Sequence, residues 1–472
     1  MRMVKRVLAA AVLALAPGTF PVNAESSPLA DRLAQTVPAR MAMDGVPGVV
    51  VVLIAAGLPA WTAAYGLADP ETGRAMTEDA LFRVESISKP VTAWGAMHLA
   101  ETGRLDLDAP VTACVSRWRP PDGATSLTPR QLLSHTAGVG LGDYSARYEP
   151  DAPRPDLPEH LAKDFAMIAV PGADFFYSDT GYNVLELVIE DCTGEDFATF
   201  MTREVLMPLG MEQASFDWTG AEMPVGHDLR GRPVVPYVYP GRGSGGLHAT
   251  AADVARFVAA AMAGADQSVL SPEGVAALHH PIASVGGLFG FAADGYGLGH
   301  FTERLSDGRE AVWHGGQGYG WMSHMHLVPE SGDGIVILSN SQRAVPLFAA
   351  ILRDWSERLG FEPVGMARVL WAEAAAQVAI TVLTAGGVLS LWIAFRGRPL
   401  HRGLRTGAGG IGAALMLWPV WAAAQDYLFL FSILPGLWPW LSAATAARPM
   451  PPSADAADNH GQRPGRIENR NR

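Results

Sequence analysis

Lysine is nearly missing from this chain: Lys5, Lys89 and Lys163 are its only examples, so 32 of the 35 basic residues are arginine. Arginine holds a permanent charge, whereas an amine can lose its proton; a retained lysine therefore marks a position to read for chemistry. Cysteine is scarcer still, with Cys114 and Cys192 alone. That excludes a Cys-x-x-Cys metal or redox motif, and the two residues either pair as one disulfide or stay as lone buried thiols. There is no His-Glu-x-x-His, so no metal and no cofactor is expected, and His324 and His326, two apart on one expected strand face, are read as structural. Charged residues are also sparse, at 17% against 49% hydrophobic, which excludes a disordered chain and provides for a large core.

The net charge of −12 averages three unlike parts. Residues 1–24 carry +3, residues 366–472 carry +5, and the body 25–365 carries −20. A body this acidic repels phosphate backbones, so nucleic acid is not an expected partner. Residues 1–24 have basic residues, an apolar run Val7–Ala16 and the small-x-small site Val22-Asn23-Ala24, the pattern of a signal peptide cleaved after Ala24. Three C-terminal stretches, 374–395, 407–424 and 427–446, have the length and apolarity of membrane spans. The arginine-rich link 396–406 and the polar tail 447–472 place both on the cytoplasmic side. The expected layout is a signal peptide (1–24), an exported body (25–365), a membrane anchor (366–446) and a cytoplasmic tail, with the body in the periplasm at the inner membrane.

Within the body, Pro47–Ala56 and Ala60–Leu67 read as strands joined by a Gly-Leu-Pro turn, and Trp321–Val328 and Gly334–Ser339 as strands near its end. Helical patterns such as Val91–Glu101 and Thr250–Ala263, the latter with Asp253 as a first-turn acid, fill the interval. Strands at both ends with helices between them predict an α+β fold: one antiparallel sheet flanked by helices, a helical subdomain and a cleft between them.

Ser86-Ile87-Ser88-Lys89 is the chain's only Ser-x-x-Lys. At the start of a helix this spacing brings hydroxyl and amine together, and the helix N-terminus offers N–H groups to an oxyanion. A serine hydroxyl needs such an adjacent base to become a nucleophile. Tyr177-Ser178-Asp179 lies in a polar insert where a phenol could relay a proton to a leaving group. His314-Gly315-Gly316-Gln317 opens a glycine-rich turn whose backbone N–H could be a second oxyanion donor.

In order along the chain, FRVESISK (82–89), LTPRQLLSHTAGV (127–139), YSDTGYN (177–183), GSGGLHATAADVARF (243–257) and WHGGQGYGW (313–321) resemble the serine β-lactamase and penicillin-binding superfamily, in its class C β-lactamase-like branch. That resemblance covers about residues 30–355. It implies Ser86 as acylated nucleophile, Lys89 as base, Tyr177 as proton relay and His314 in the third motif, with the N–H groups of Ser86 and Gln317 as oxyanion hole and Gly315 and Gly316 beside the substrate. Two departures bear on substrate. Asp179 replaces the Asn that ends the second motif of β-lactamases, and His314 replaces the Lys of the third, which together make β-lactam hydrolysis less favoured. Asp179 would contact an amide or ammonium of a peptide-like substrate or pair with Lys89, where a carboxylate favours the charged amine. With the anchor, the chain is also similar to prodrug-activating peptidases of the colibactin-maturation type, which implies His248 as a substrate contact and an exporter as functional link. Against that subgroup, Arg83 stands where an acid is expected. The reading is a membrane-anchored periplasmic serine peptidase or amidase; an esterase, a D,D-peptidase or β-lactamase, and a catalytically silent binding protein are the alternatives. His135 and Trp313 are read as structural supports.

Overall fold

The computed structural model describes residues 28–378, except 144, 173 and 376, together with Gly403. The signal peptide, nearly all of the three expected spans and the tail lie outside the described residues. Among the described residues no helix is long and apolar enough to cross a membrane.

In chain order the strands are β1 (Gly48–Ala55), β2 (Leu58–Asp69), β3 (Arg74–Ala75), β4 (Leu81–Arg83), β5 (Gly226–His227), β6 (Pro233–Val234), β7 (His248–Thr250), β8 (Ala283–Ser284), β9 (Gly295–Tyr296), β10 (Phe301–Arg304), β11 (Glu310–Gln317), β12 (Met322–Val328) and β13 (Asp333–Ser339). The helices are α1 (Pro28–Asp44), α2 (Ser88–Glu101), α3 (Pro129–Leu133), α4 (Leu157–Asp164), α5 (Asp179–Thr193), α6 (Phe197–Met201), α7 (Ala251–Ala260), α8 (Pro272–His279) and α9 (Val345–Leu359). A nine-stranded antiparallel sheet runs β3-β2-β1-β13-β12-β11-β10-β9-β8, so the first and last strands of the body meet at its centre. The predicted α+β body is thus found, with the helical part inserted between the two strand sets.

The sheet centre is covered on both faces, which explains its continuous apolar strands. Along β1, Val50, Val52 and Ile54 enter the core on the helical side, while Val49, Val51 and Leu53 enter the core under α1 and α9. β13 divides likewise, with Val336 and Leu338 on one side and Ile335 and Ile337 on the other. α1 buries Leu29, Leu33, Val37 and Met41, one per turn. In the helical part α2 is buried nearly all round, Trp94 included, and packs on α5. Apolar burial of this kind stabilises by roughly 25 cal/mol per Å².

Two expectations change in detail. The β1–β2 hairpin turns at Ala56-Gly57, both at positive φ (49° and 74°), so Leu58 and Pro59 already belong to β2; a proline near a strand's start costs little, because it removes only a terminal N–H. α7 ends at Ala260 instead of Ala263, while Thr250 and Asp253 form its capping box as the pattern implied. The open question about cysteine is answered: Cys114 and Cys192 are bonded, tying the segment before α3 to the end of α5 across 78 residues.

Candidate active site

The nucleophile turn is held from several sides. β4 pairs with β7 in the register Arg83↔His248, and Val84 N–H continues the pairing to Leu247 carbonyl at 3.1 Å. The chain then takes a positive φ of 50° at Glu85 and makes one 3₁₀ turn, Glu85–Ile87, before α2 begins at Ser88. Ser88 Oγ donates to the Glu85 carbonyl (2.6 Å) and accepts from Leu247 N–H (2.9 Å), fixing the turn to β7. Ser86 and Lys89 therefore share the first turn, with Lys89 Nζ donating to Ser86 Oγ at 3.1 Å. The Lys89 side chain is fully buried; Nζ also donates to Asp179 Oδ1 at 2.5 Å and to the Ser244 carbonyl at 2.8 Å. Of the roles open to Asp179 from sequence, the structure shows the pairing with Lys89.

The second motif is set by a helix cap. Ser178 caps α5, its Oγ accepting from Gly181 N–H and donating to the Gly140 carbonyl, so Asp179 stands in the helix's first turn, where a negative charge is favoured. His135 supports this segment: its Nδ1 accepts from Ser178 N–H at 3.1 Å and its ring packs 4.5 Å from that of Tyr177. Burial holds His135 neutral, well below the usual histidine range, with Lys89 adding to the effect. The Tyr177 ring lies 4.8 Å from Lys89 Nζ and stacks on Phe289.

The third motif lies on β11. Gly316 passes so close to the nucleophile turn that a methyl there would overlap the Ser323 hydroxyl and the Val84 carbonyl; one at Gly318 would overlap the Glu85 carboxylate. Gly315 has no such restriction, its nearest neighbours being 3.6 and 3.7 Å from an added carbon. His314 is buried, with Nδ1 2.9 Å from the Gly315 carbonyl and Nε2 3.3 Å from the Tyr296 hydroxyl. Burial, then Lys89, pushes His314 well below the usual range, so the third motif holds no fixed positive charge.

These residues fall into two adjoining spaces. Ser86, Asp179 and Gln317 line an open cleft together with Glu85, Asp143, Arg147, Asp164, Asn183, Tyr239 and Tyr319. Tyr177, His314, Gly315 and Gly316 line an aromatic chamber with Phe289, Phe301 and Trp313, and Gln317 borders both. His248 lies in neither. Its Nε2 is 3.3 Å from Arg83 Nη1, its ring packs edge-on against Trp218, and it lines a separate polar pocket; burial, then Arg83, lowers it to about 3. Register explains this: pairing with Arg83 sends both side chains to the same far side of β4–β7. Trp313 stacks on Phe301 and His326, and His324 and His326 lie buried side by side, as structural supports would. Among the described residues no group of three or more His, Cys, Asp or Glu could hold a metal ion.

Sequence reading missed Glu85 and its neighbours. The Glu85 carboxylate is buried and accepts from Arg83 Nε (2.8 Å), Tyr237 Oη (2.9 Å) and Tyr239 Oη (3.1 Å). Burial and the Glu85 charge push both phenols up, so they remain O–H donors. Glu85 adjoins the nucleophile and could have been singled out; the tyrosines sit in a loop without a motif.

The family profile described as Beta-lactamase matches residues 33–355. Esterase EstB of Burkholderia gladioli is 30% identical over 380 residues, covering 69% of this chain and 94% of that protein. Penicillin-binding protein 4 of Amycolatopsis lactamdurans is 28% identical, covering 62% of this chain and 80% of the relative. Among solved structures, the octameric penicillin-binding protein homologue from Pyrococcus abyssi superimposes with a TM-score of 0.63 at 26% identity, covering 71% of this chain and 78% of that one.

Proposed function

The chain belongs to the β-lactamase family of serine hydrolases, and from that premise we propose that it is a membrane-anchored periplasmic peptidase or amidase working through an acyl-enzyme on Ser86. The observation that carries the proposal is the contact of 3.1 Å between Lys89 Nζ and Ser86 Oγ in a buried setting. Lys89 Nζ donates to Ser86 Oγ, Asp179 Oδ1 and the Ser244 carbonyl in the resting site; once it has given up one of these protons to solvent, Ser86 Oγ attacks the substrate carbonyl carbon while its own proton passes to the Lys89 amine, a base that a serine hydroxyl requires. The ammonium so formed faces Asp179. The carbonyl oxygen becomes an oxyanion received by the N–H groups of Ser86 and Gln317. Tyr177 hands its proton to the departing amine and is reprotonated by the Lys89 ammonium, which restores the base; water then attacks the acyl carbon as its proton passes to Lys89, and Ser86 Oγ leaves with that proton returned to it.

Three features support the substrate side of this reading. The neutral His314 offers no fixed cation to the carboxylate that β-lactams carry. Asp143 and Asp164 line the cleft as carboxylates besides the paired Glu85 and Asp179, with Arg147 beside them, a polar lining that supports amide recognition. The signal pattern and the three apolar stretches support export and anchoring, with an N-acyl-D-amino-acid cap on an exported precursor as the specific substrate class. A second reading, an esterase, is favoured by the likeness to EstB along nearly all of that protein's length.

One panel separates these readings: an amide, an ester and a β-lactam, each presented to the purified chain, with N-acyl-D-asparaginyl and L-asparaginyl amides as a stereochemical pair. The proposal expects amide turnover with preference for the D form and negligible β-lactam hydrolysis. Turnover of esters alone establishes the second reading, and β-lactam turnover faster than amide turnover contradicts both.

A further inference from the structure

We propose that Glu85 is a positioning residue that fixes the distance between the two oxyanion donors, by a hydrogen-bond chain running from the nucleophile turn to the end of β11. The inference rests on the acyl-enzyme reading above. Tyr319 N–H donates to Tyr237 Oη at 2.9 Å, and Tyr237 Oη in turn donates to Glu85 Oε1 at 2.9 Å. Arg83 Nε completes the chain at the same oxygen, 2.8 Å away. One end of the chain is the residue before Ser86, and the other is two residues beyond Gln317. The two N–H groups that would hold the oxyanion are therefore spaced through a single buried carboxylate.

Three further observations fit a spacer better than a passive buried ion pair. Glu85 keeps a left-handed φ of 50°, a conformation that costs about 1–3 kcal/mol for a bulky residue and persists only where surroundings enforce it. Gly318 leaves room only for hydrogen where β11 passes the Glu85 carboxylate, so the strand end rests directly on that group. Arg83 is itself immobilised, donating to the Tyr237 carbonyl at 2.6 Å with its guanidinium 4.2 Å from the Tyr237 ring centre. Arg83, Tyr237, Glu85 and Tyr319 thus make one hydrogen-bonded unit, of which Glu85 and Tyr319 line the cleft. A partly loosened unit would let the donors separate, and misplacement of about 1 Å in a reacting geometry costs about a hundredfold.

The test uses Glu85→Gln, which keeps the shape but weakens the acceptor, and Tyr237→Phe, which deletes only the hydroxyl and leaves the ring beneath Arg83. Each variant should lower kcat by about ten- to a hundredfold with KM little changed, and weaken a boronate transition-state analogue by a similar factor. The double variant should lose no more than the worse single one, because both break the same chain. Hydrogen exchange of segment 315–321 should quicken in each variant, a readout that does not depend on turnover. Should Glu85→Gln fail to fold, Tyr237→Phe alone decides. A lowered Tm with kcat and boronate affinity intact, additive losses in the double variant, or unchanged exchange at 315–321 overturns the proposal. If the wild-type chain reacts with neither ester nor fluorophosphonate, the acyl-enzyme reading fails instead, and the exchange result still judges the spacer.

Discussion

Replacing Gly316 with alanine tests whether β11 must lie where it does for the oxyanion hole to form. A Cβ at this position would meet the Ser323 hydroxyl and the Val84 carbonyl well under 3.0 Å, and the Glu85 Cβ at 3.1 Å. None of these can yield alone. Ser323 Oγ donates to the Val84 carbonyl at 2.6 Å, and Val84 N–H is held by Leu247, so the methyl acts as a wedge between β11 and the nucleophile turn. Relief requires a separation on the order of 1 Å, which overpacked sites meet at a cost of about 1–3 kcal/mol and which reacting geometries meet with about a hundredfold loss of rate. Gly315→Ala is the control, since its added methyl finds ordinary contacts at 3.6 and 3.7 Å. The assay is steady-state and burst kinetics on a chromogenic ester, with thermal unfolding measured alongside. Gly316→Ala should lose about two orders of magnitude in kcat with a modest drop in Tm, and Gly315→Ala should stay close to wild type. Full activity in Gly316→Ala, or equal loss in both variants, refutes the argument that strand position sets the oxyanion hole.

Other outcomes follow from the same geometry. Asp179→Asn removes the charge that Lys89 Nζ faces at 2.5 Å while keeping an acceptor oxygen, so kcat on a chromogenic ester should fall by about tenfold with Tm little altered; unchanged kinetics contradict a part for the Lys89–Asp179 pair in the reaction. Lys89→Arg should be nearly inactive with the fold intact, because guanidinium cannot give up its proton, and near-normal turnover removes Lys89 as base. His135, His248, His279, His300, His314 and His324 are all held neutral by burial, His248 at about 3 and His300 at about 4. The unfolded chain binds more protons than the folded one below about pH 6.5, so stability should fall with falling pH by about 1.4 kcal/mol per unit for each histidine. A Tm series from pH 8 to 5 should be flat above 7 and drop steeply below 6; a constant Tm down to pH 5 refutes the buried neutral assignment.

How much the sequence made legible follows from the range of each interaction. β1 and β13 were readable because a strand buried on both faces is written as an unbroken apolar run. Ser86 and Lys89 were readable because their contact spans a single helical turn, and His135 and Trp313 could be set aside as supports because their motifs gave them no chemistry. Asp179 was only half readable: its departure from the family pattern raised the pairing with Lys89 as one option, but only the cap at Ser178 turns the carboxylate toward the amine. The side on which His248 lies was not legible for a longer-range reason, since its facing depends on the β4–β7 register, which neither segment encodes alone. The clamp of Glu85, Tyr237 and Tyr239 was invisible because it joins, through side-chain ends, residues that lie 152 and 154 positions apart in the chain. The turn at Ala56-Gly57 was displaced by weighing Pro59 as a breaker when its position near a strand's start made it harmless.

The central claim is that Ser86 is the nucleophile of an acyl-enzyme, and mass spectrometry of the intact chain after exposure to a fluorophosphonate tests it most directly. The account predicts one adduct, mapped by peptide fragmentation to Ser86, that is absent in Ser86→Ala and slowed in Lys89→Arg. An unlabelled wild-type chain, or an adduct that persists when Ser86 is alanine, contradicts it.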